Sequence, residues 1–285
     1  MNPIAFQLGP LDVYWHSLLI AGGILVAALL ADRLARLWGE DPLFVWSALP
    51  WVVGFGLIGA RLYHALAIPP SIGIGRAYYA RHPLTFLAIW EGGLSAYGAL
   101  LGGIGGLLIA ARRARQSPWR WLDIAAPGAA LGQAIARWGN WINQELYGLP
   151  TSAPWGIAIE PEFRLPGYEA FERFQPVFAY ESAWNLVVCL ALLALIWRGR
   201  DRLIPGLTAG IYLISYATIR ALTEFVRLDR PTLAGVPVAQ WFSLSILLSC
   251  AGLVAWRIRR LRAAQQPAPG QTRAAHPPKK EPPPA

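Results

Sequence analysis

Arg137-Trp138-Gly139-Asn140-Trp141-Ile142-Asn143-Gln144-Glu145-Leu146-Tyr147-Gly148 closes a stretch, 122–143, that is otherwise apolar enough to lie in a bilayer. An arginine and a glutamate are costly in hydrocarbon. At the end of a membrane segment they face a bundle interior or a wet cavity, so this cluster is the first place to look for chemistry. The rest of the chain has the same character: 55% of the 285 residues are hydrophobic and 14% are charged. That is the composition of an integral membrane protein, not of a soluble domain.

A helix that crosses the hydrocarbon core needs about 20 mostly apolar residues. Seven stretches meet that length: 14–34, 43–66, 92–111, 122–143, 177–197, 206–226 and 238–257. The expected fold is an all-α integral membrane protein with seven transmembrane helices. Polar groups interrupt the fourth and sixth stretches, and the second ends in Arg61-Leu62-Tyr63-His64.

The net charge of +9 suggests a nucleic-acid partner only until the basic residues are sorted by loop. Sixteen of the 25 Lys and Arg then fall on one side, in the loops after the first, third, fifth and seventh stretches, and nine on the other. By the positive-inside rule the N-terminus is extracytoplasmic and the C-terminus cytoplasmic, and no nucleic acid is implied. Several of the nine, namely Arg61, Arg137, Arg220 and Arg227, sit within or at the rim of helices, so the unusual chemistry gathers toward the outer face.

Residues 1–262 read as one membrane-embedded domain with extracytoplasmic loops 67–91 and 144–176, both rich in Pro, Gly and aromatics. Short interfacial helices or turns are expected there, with Trp90, Trp155, Tyr78 and Tyr79 at headgroup depth. Residues 263–285 form a Pro-rich cytoplasmic tail that cannot build a core and is expected to be disordered and dispensable. The N-terminus has no basic residue before Trp15, unlike a cleaved signal peptide. Cys189 and Cys250 lie in apolar runs, which argues against a disulfide framework or a metal site.

Gln133, Arg137, Asn140 and Gln144 follow one another at spacings of four, three and four, so they share a helical face. Alone, that stripe reads equally well as a packing face with a snorkelling arginine. The sixth stretch repeats the spacing in Arg220, Glu224 and Arg227. One ion pair needs no third arginine, and the surplus cation points to an anionic partner; planar guanidinium donors suit phosphate. Glu181 opens the fifth stretch, where it either answers the helix macrodipole or orients an arginine. The run Gly102-Gly103-Ile104-Gly105-Gly106 follows no strand, so close helix approach explains it better than a phosphate loop. Trp90-Glu91-Gly92-Gly93-Leu94-Ser95-Ala96-Tyr97-Gly98 puts an acid and a tyrosine at the outer mouth of the third helix.

Taken in order, these motifs resemble the prolipoprotein diacylglyceryl transferase family. The run Arg137-x-Gly139-Asn140-x-Ile142-Asn143-x-Glu145-x-x-Gly148 looks like its signature. Gly59-Ala60-Arg61, Trp90-Glu91-Gly92-Gly93, Gln175-Pro176 to Tyr180-Glu181 and Arg220 to Glu224 fall in the family's order over residues 10–257. Many members carry a histidine where this chain has Tyr97 and a tyrosine where it has His16. The resemblance implies a multi-pass enzyme of the bacterial cytoplasmic membrane, with no cofactor and no metal. It would move the diacylglyceryl group of phosphatidylglycerol onto the lipobox cysteine of a preprolipoprotein signal peptide and release glycerol 1-phosphate.

On that reading Arg137, Arg220, Asn140 and Glu145 are catalytic, with His16 or Tyr97 moving the proton. Arg137, Asn140, Arg220, Glu224, Arg227, Arg61, Gly148 and Glu181 bind the lipid. Glu145 lies about 80° off the stripe on ideal helical geometry, so it is expected beyond the helix end or on a second group. The competing readings are an anion transporter or channel, which would place the polar groups at the midplane, and a lipid-binding scaffold with no thiol acceptor.

Overall fold

Hydrocarbon offers no partner to a backbone N–H or C=O, so apolar runs of this length satisfy themselves as helices. The computed structural model describes residues 2–9, 11–67, 76–88, 92–199, 203–228, 232–233 and 236–265. In chain order the elements are β1 (Ile4–Leu8), β2 (Leu11–Tyr14), α1 (Trp15–Leu37), α2 (Leu43–Ala67), α3 (Arg76–Arg81), α4 (Ala96–Arg113) and α5 (Pro118–Ile142). There follow β3 (Ile157–Ala158), β4 (Arg173–Phe174), α6 (Val177–Gly199), α7 (Leu207–Thr223), β5 (Thr232–Leu233), β6 (Val236–Pro237) and α8 (Val238–Gln265). Trp90, Glu91 and Arg230 lie outside the described residues, as does the tail beyond 265.

Long helices occupy all seven expected stretches. Three of them, Trp15–Leu37, Leu43–Leu66 and Val177–Gly199, are long and apolar enough to cross a membrane by length and composition, and Gln240–Leu253 is a shorter apolar helix. Two features differ from expectation. α4 begins at Ala96 instead of near 92, because Gly92 and Gly93 take φ of 84° and 70°, a left-handed backbone no helix continues. The connections are also not purely helical. β1–β2, β3–β4 and β5–β6 form three antiparallel hairpins that pair backbone groups where the chain leaves the bundle.

α5 packs against α1, α6 and α7, while α2 packs against α4. The α2–α4 seam is a glycine seam: a Cβ on Gly98, Gly102 or Gly106 would collide with the carbonyl oxygens of Gly59, Phe55 and Trp51. The glycine run is therefore a close-approach surface, as expected. Both cysteines are buried thiols. Near the end of the bundle away from the hairpins, Ala28, Leu34, Ala35, Trp121 and Ile124 form an apolar core.

The 144–176 connection folds on a small core of its own, with Tyr147, Ile159 and Phe174 buried and Leu228 packed against them. Tyr147 donates its hydroxyl to the Phe163 carbonyl at 2.7 Å and accepts the Leu165 N–H at 2.7 Å. Burial pushes its phenol pKa up. Trp155 donates its indole N–H to the Tyr180 hydroxyl at 2.9 Å.

Candidate active site

The polar residues singled out on α1, α4, α5, α6 and α7 meet at the hairpin end of the bundle. Glu181, four residues into α6, is 1% exposed and lies between two arginines. Arg137 Nη2 of α5 stands 2.6 Å from Glu181 Oε2, and Arg220 Nη1 of α7 donates to Oε1 at 2.7 Å. Thr223 donates its hydroxyl to the same Oε1 at 3.0 Å. Glu181 thus orients a pair of arginines, the second of the two roles its position allowed. Both of its carboxylate oxygens are buried and engaged by these partners.

Arg220 also reaches α4. Its Nη2 and Nε donate to the Tyr97 hydroxyl at 2.8 and 3.2 Å, with the guanidinium 5.6 Å from the Tyr97 ring centroid. Phe242 of α8 packs against that ring in a tilted arrangement, centroids 4.3 Å apart. Glu224 Oε2 lies 3.7 Å from Arg220 Nη2, one turn along α7. Arg227 is half-buried just past the end of α7, and its N–H returns to the Thr223 carbonyl at 3.0 Å.

On the other flank, α5 stops at Ile142 and the chain reverses. The Gln144 N–H bonds to the Trp141 carbonyl at 3.0 Å and the Glu145 N–H to the Asn140 carbonyl at 2.9 Å, a Schellman closure. A glycine usually takes the left-handed position in that motif. Here Gln144 does, at φ 51°, and its buried side-chain oxygen accepts the Glu160 N–H at 2.6 Å, tying the helix end to the 144–176 cap. Gln144 thereby leaves the stripe of Gln133, Arg137 and Asn140.

The reversal swings Glu145 back over the helix end, where its Oε1 accepts the Asn140 amide at 2.9 Å and the Asn143 amide at 3.2 Å. It is thus both beyond the helix and turned toward a second group. That group is His16, whose Nδ1 lies 3.4 Å from the same oxygen and 3.2 Å from Asn143 Nδ2. His16 fits there because residue 139 is glycine: a Cβ would stand 2.5 Å from the His16 ring. Asn140 Oδ1 faces Arg137 Nη1 at 3.5 Å, so one polar chain runs His16, Glu145, Asn140, Arg137, Glu181, Arg220, Tyr97.

Two expected lipid ligands fall outside this chain. Arg61 is buried and directs all five N–H donors at carbonyl oxygens: Nε to Phe86, Nη1 to Gly92 and Gly93, Nη2 to Thr85 and Ala88. Those five donors are spent on backbone carbonyls of residues 85–88 and 92–93, so Arg61 lies apart from the polar chain, among main-chain oxygens. Gly148 gives its N–H to the Gln175 carbonyl at 2.8 Å. A Cβ there would sit 2.6 Å from the Val226 carbonyl oxygen and 2.9 Å from Val177 Cγ2. It is a packing glycine between the ends of α6 and α7.

Thr223 and Asn143 join the site without having been singled out. Asn143 belongs to the quoted cluster, and Thr223 lies a helical step from Arg220, but nothing in their spacing says which carboxylate each meets. Chemically the site offers two guanidiniums sharing one buried carboxylate, with a phenol, an imidazole and an amide alongside. Such a set can hold a phosphate ester at the bundle end and stabilise charge arising on it.

Comparison with known proteins agrees. The family model described as prolipoprotein diacylglyceryl transferase matches residues 3–256. The phosphatidylglycerol–prolipoprotein diacylglyceryl transferase of Synechococcus elongatus is 38% identical over 257 residues, covering 89% of this chain and 86% of the relative. That of Trichormus variabilis is 38% identical over 265 residues, covering 92% and 91%. The Gloeobacter violaceus protein of the same name is 39% identical over 270 residues, covering 94% and 96%.

Proposed function

The chain belongs to the prolipoprotein diacylglyceryl transferase family, and on that premise we propose that it transfers the diacylglyceryl group of phosphatidylglycerol to the lipobox cysteine of preprolipoproteins, the first step of bacterial lipoprotein maturation. The observation that carries the reading is the pair Arg137 and Arg220 held on either side of Glu181.

The acceptor sulfur attacks the glyceryl carbon that carries the phosphate. A C–S bond forms, the C–O bond breaks, and its electron pair stays on the phosphate oxygen. A diester with one negative charge becomes the monoester glycerol 1-phosphate, with close to two at neutral pH. Charge therefore grows on the phosphate as the reaction proceeds, which is what preorganised guanidiniums stabilise in a water-poor site. Arg137 and Arg220 take that role. Glu181 fixes their geometry, and Arg227 and Glu224 adjust the local charge.

The thiol, with an ordinary pKa near 8.5, must lose its proton to react. His16 is the acceptor: in the tautomer that turns its Nδ1–H toward Glu145, the other ring nitrogen is unprotonated and can take the thiol proton, while the Asn143 amide donates to the same Glu145 oxygen. Tyr97 spends its oxygen on Arg220 and acts through that arginine. Asn140 couples the two halves of the site.

The enzyme spans the bacterial cytoplasmic membrane seven times, with the N-terminus and the site outside and the C-terminus inside. The seven long helices, the uneven distribution of Lys and Arg and the gathering of polar residues at one bundle end support this topology. Residues 1–262 form the working domain and the tail lies in the cytoplasm. The acceptor segment is a signal peptide delivered from the outer side of the bilayer.

The test is transfer from labelled phosphatidylglycerol to a lipobox peptide in proteoliposomes. The intact chain forms a thioether-linked product, and Arg137→Ala inserts normally but makes none. Near-normal transfer by Arg137→Ala defeats the phosphate clamp, and anion flux without transfer favours the transporter reading.

A further inference from the structure

The site needs Arg137 and Arg220 at one height, yet they stand on different helices, and a residue far from both fixes that height. Asp123 lies near the opposite end of α5 and is 3% exposed. Its Oδ2 accepts the Gly206 N–H. Its Oδ1 accepts the Ala209 N–H at 2.9 Å and the Thr208 hydroxyl at 2.7 Å. The Thr208 hydroxyl also reaches the Asp123 carbonyl at 3.2 Å.

These are the orphan donors at the start of α7. Gly206, at φ 92°, is the N-cap of that helix and has no side chain with which to cap it. A carboxylate from the neighbouring helix does so instead, and the positive end of the α7 dipole in turn stabilises the buried anion.

The spacing gives this contact a second consequence. Arg137 stands fourteen residues beyond Asp123 on α5, and Arg220 fourteen beyond Gly206 on α7. At 1.5 Å per residue both arms are about 21 Å long. The two helices run parallel, pinned at one end by Asp123 and at the other by Glu181. Between the pins Tyr212 of α7 packs with Ala126 and Ala130 of α5. Equal arms clamped at one end deliver equal heights at the other. A slip of α7 by one residue would move Arg220 by about 1.5 Å and turn it about 100° away from Glu181 and Tyr97.

We propose that Asp123 is a positioning residue for the transfer reaction: it sets the axial register of α7 on α5 and thereby places Arg220 beside Arg137 over the lipid phosphate. The inference rests on the roles given to those arginines above. It assigns Asp123 no contact with substrate.

The experiment is a double-mutant cycle on the full chain in proteoliposomes, with phosphatidylglycerol and a labelled lipobox peptide. Asp123→Asn keeps the shape but turns a nitrogen donor toward the cap. It is expected to lower kcat on the order of tenfold to a hundredfold, the scale of a misplacement near 1 Å. In an Arg220→Lys background the same substitution is expected to cost almost nothing more, because the group it positions is already changed. Losses that multiply, or a wild-type kcat for Asp123→Asn, overturn the proposal. Should Asp123→Asn fail to fold, Thr208→Val removes one clamp donor without touching the carboxylate, and the same non-additivity with Arg220→Lys is expected. Full activity of Arg220→Lys alone would instead overturn the reading of the site itself, and the register role with it.

Discussion

A carboxylate removed from water as completely as Glu181 is stable only among compensating charges, and here two guanidiniums and a threonine hydroxyl surround it. Breaking such a set from one side strands the rest. Glu181→Ala, which leaves Arg137 and Arg220 facing each other, is expected to destabilise the protein by about 3–5 kcal/mol. Thermal unfolding in detergent measures this, and an unchanged midpoint would show that the arginines find other partners. At His16 the expectation is kinetic. His16→Phe keeps the ring volume and removes the proton acceptor, so kcat should fall on the order of 10²-fold and the acid limb of its pH profile should flatten. A rate and profile equal to wild type would reassign the proton to Tyr97. Both side chains were legible as candidates because a charged or titratable group in an apolar run has no bland neighbour. Their pairing was not: no spacing relates residue 181 to 137 and 220, or 16 to 145. Arg61 shows the converse, since in sequence it looks like the other arginines, and only its ring of carbonyl partners reveals that none of its donors is spare.

Among the elements, α4 and α5 show how glycine spacing becomes geometry. Gly98, Gly102 and Gly106 recur at four-residue intervals and bring α4 onto the backbone of α2. Gly102→Val would force those backbones apart, with a cost of at least the 1–3 kcal/mol of ordinary overpacking, because the obstacle is a carbonyl and not a movable side chain. The expected outcome is a low yield of folded protein, seen as aggregation in gel filtration, and a monodisperse variant with wild-type melting would refute the seam. The helix-approach role of this run could be read from the absence of a preceding strand. The end of α5 could be read only in part. A polar stripe says that the helix carries the site, but the reversal at Gln144 that returns Glu145 to Asn140 and His16 uses a left-handed glutamine that no propensity favours. It holds because the Gln144 side chain is anchored on the 144–176 cap, a contact sixteen residues away in the chain.

For the whole molecule, the basic residues predict the topology, and the tail tests how far the working domain extends. A chain ending at Arg262 is expected to retain full transfer activity in vesicles and to support lipoprotein modification in a transferase-depleted bacterium. Loss of activity on that truncation would place part of the working domain beyond residue 262. Length and hydropathy were enough for the sequence to specify a helical membrane protein and roughly where its long helices run, because a bilayer admits few ways to satisfy a backbone. Motif order was enough to indicate the family. Which polar groups face one another was decided only by the packed bundle, since contacts between helices depend on axial register and rotation, and neither is written in any one segment. Register is set where α7 is capped by Asp123 of another helix, and rotation where glycines let backbones meet. Those distant contacts turn separate charged residues into one connected polar cluster.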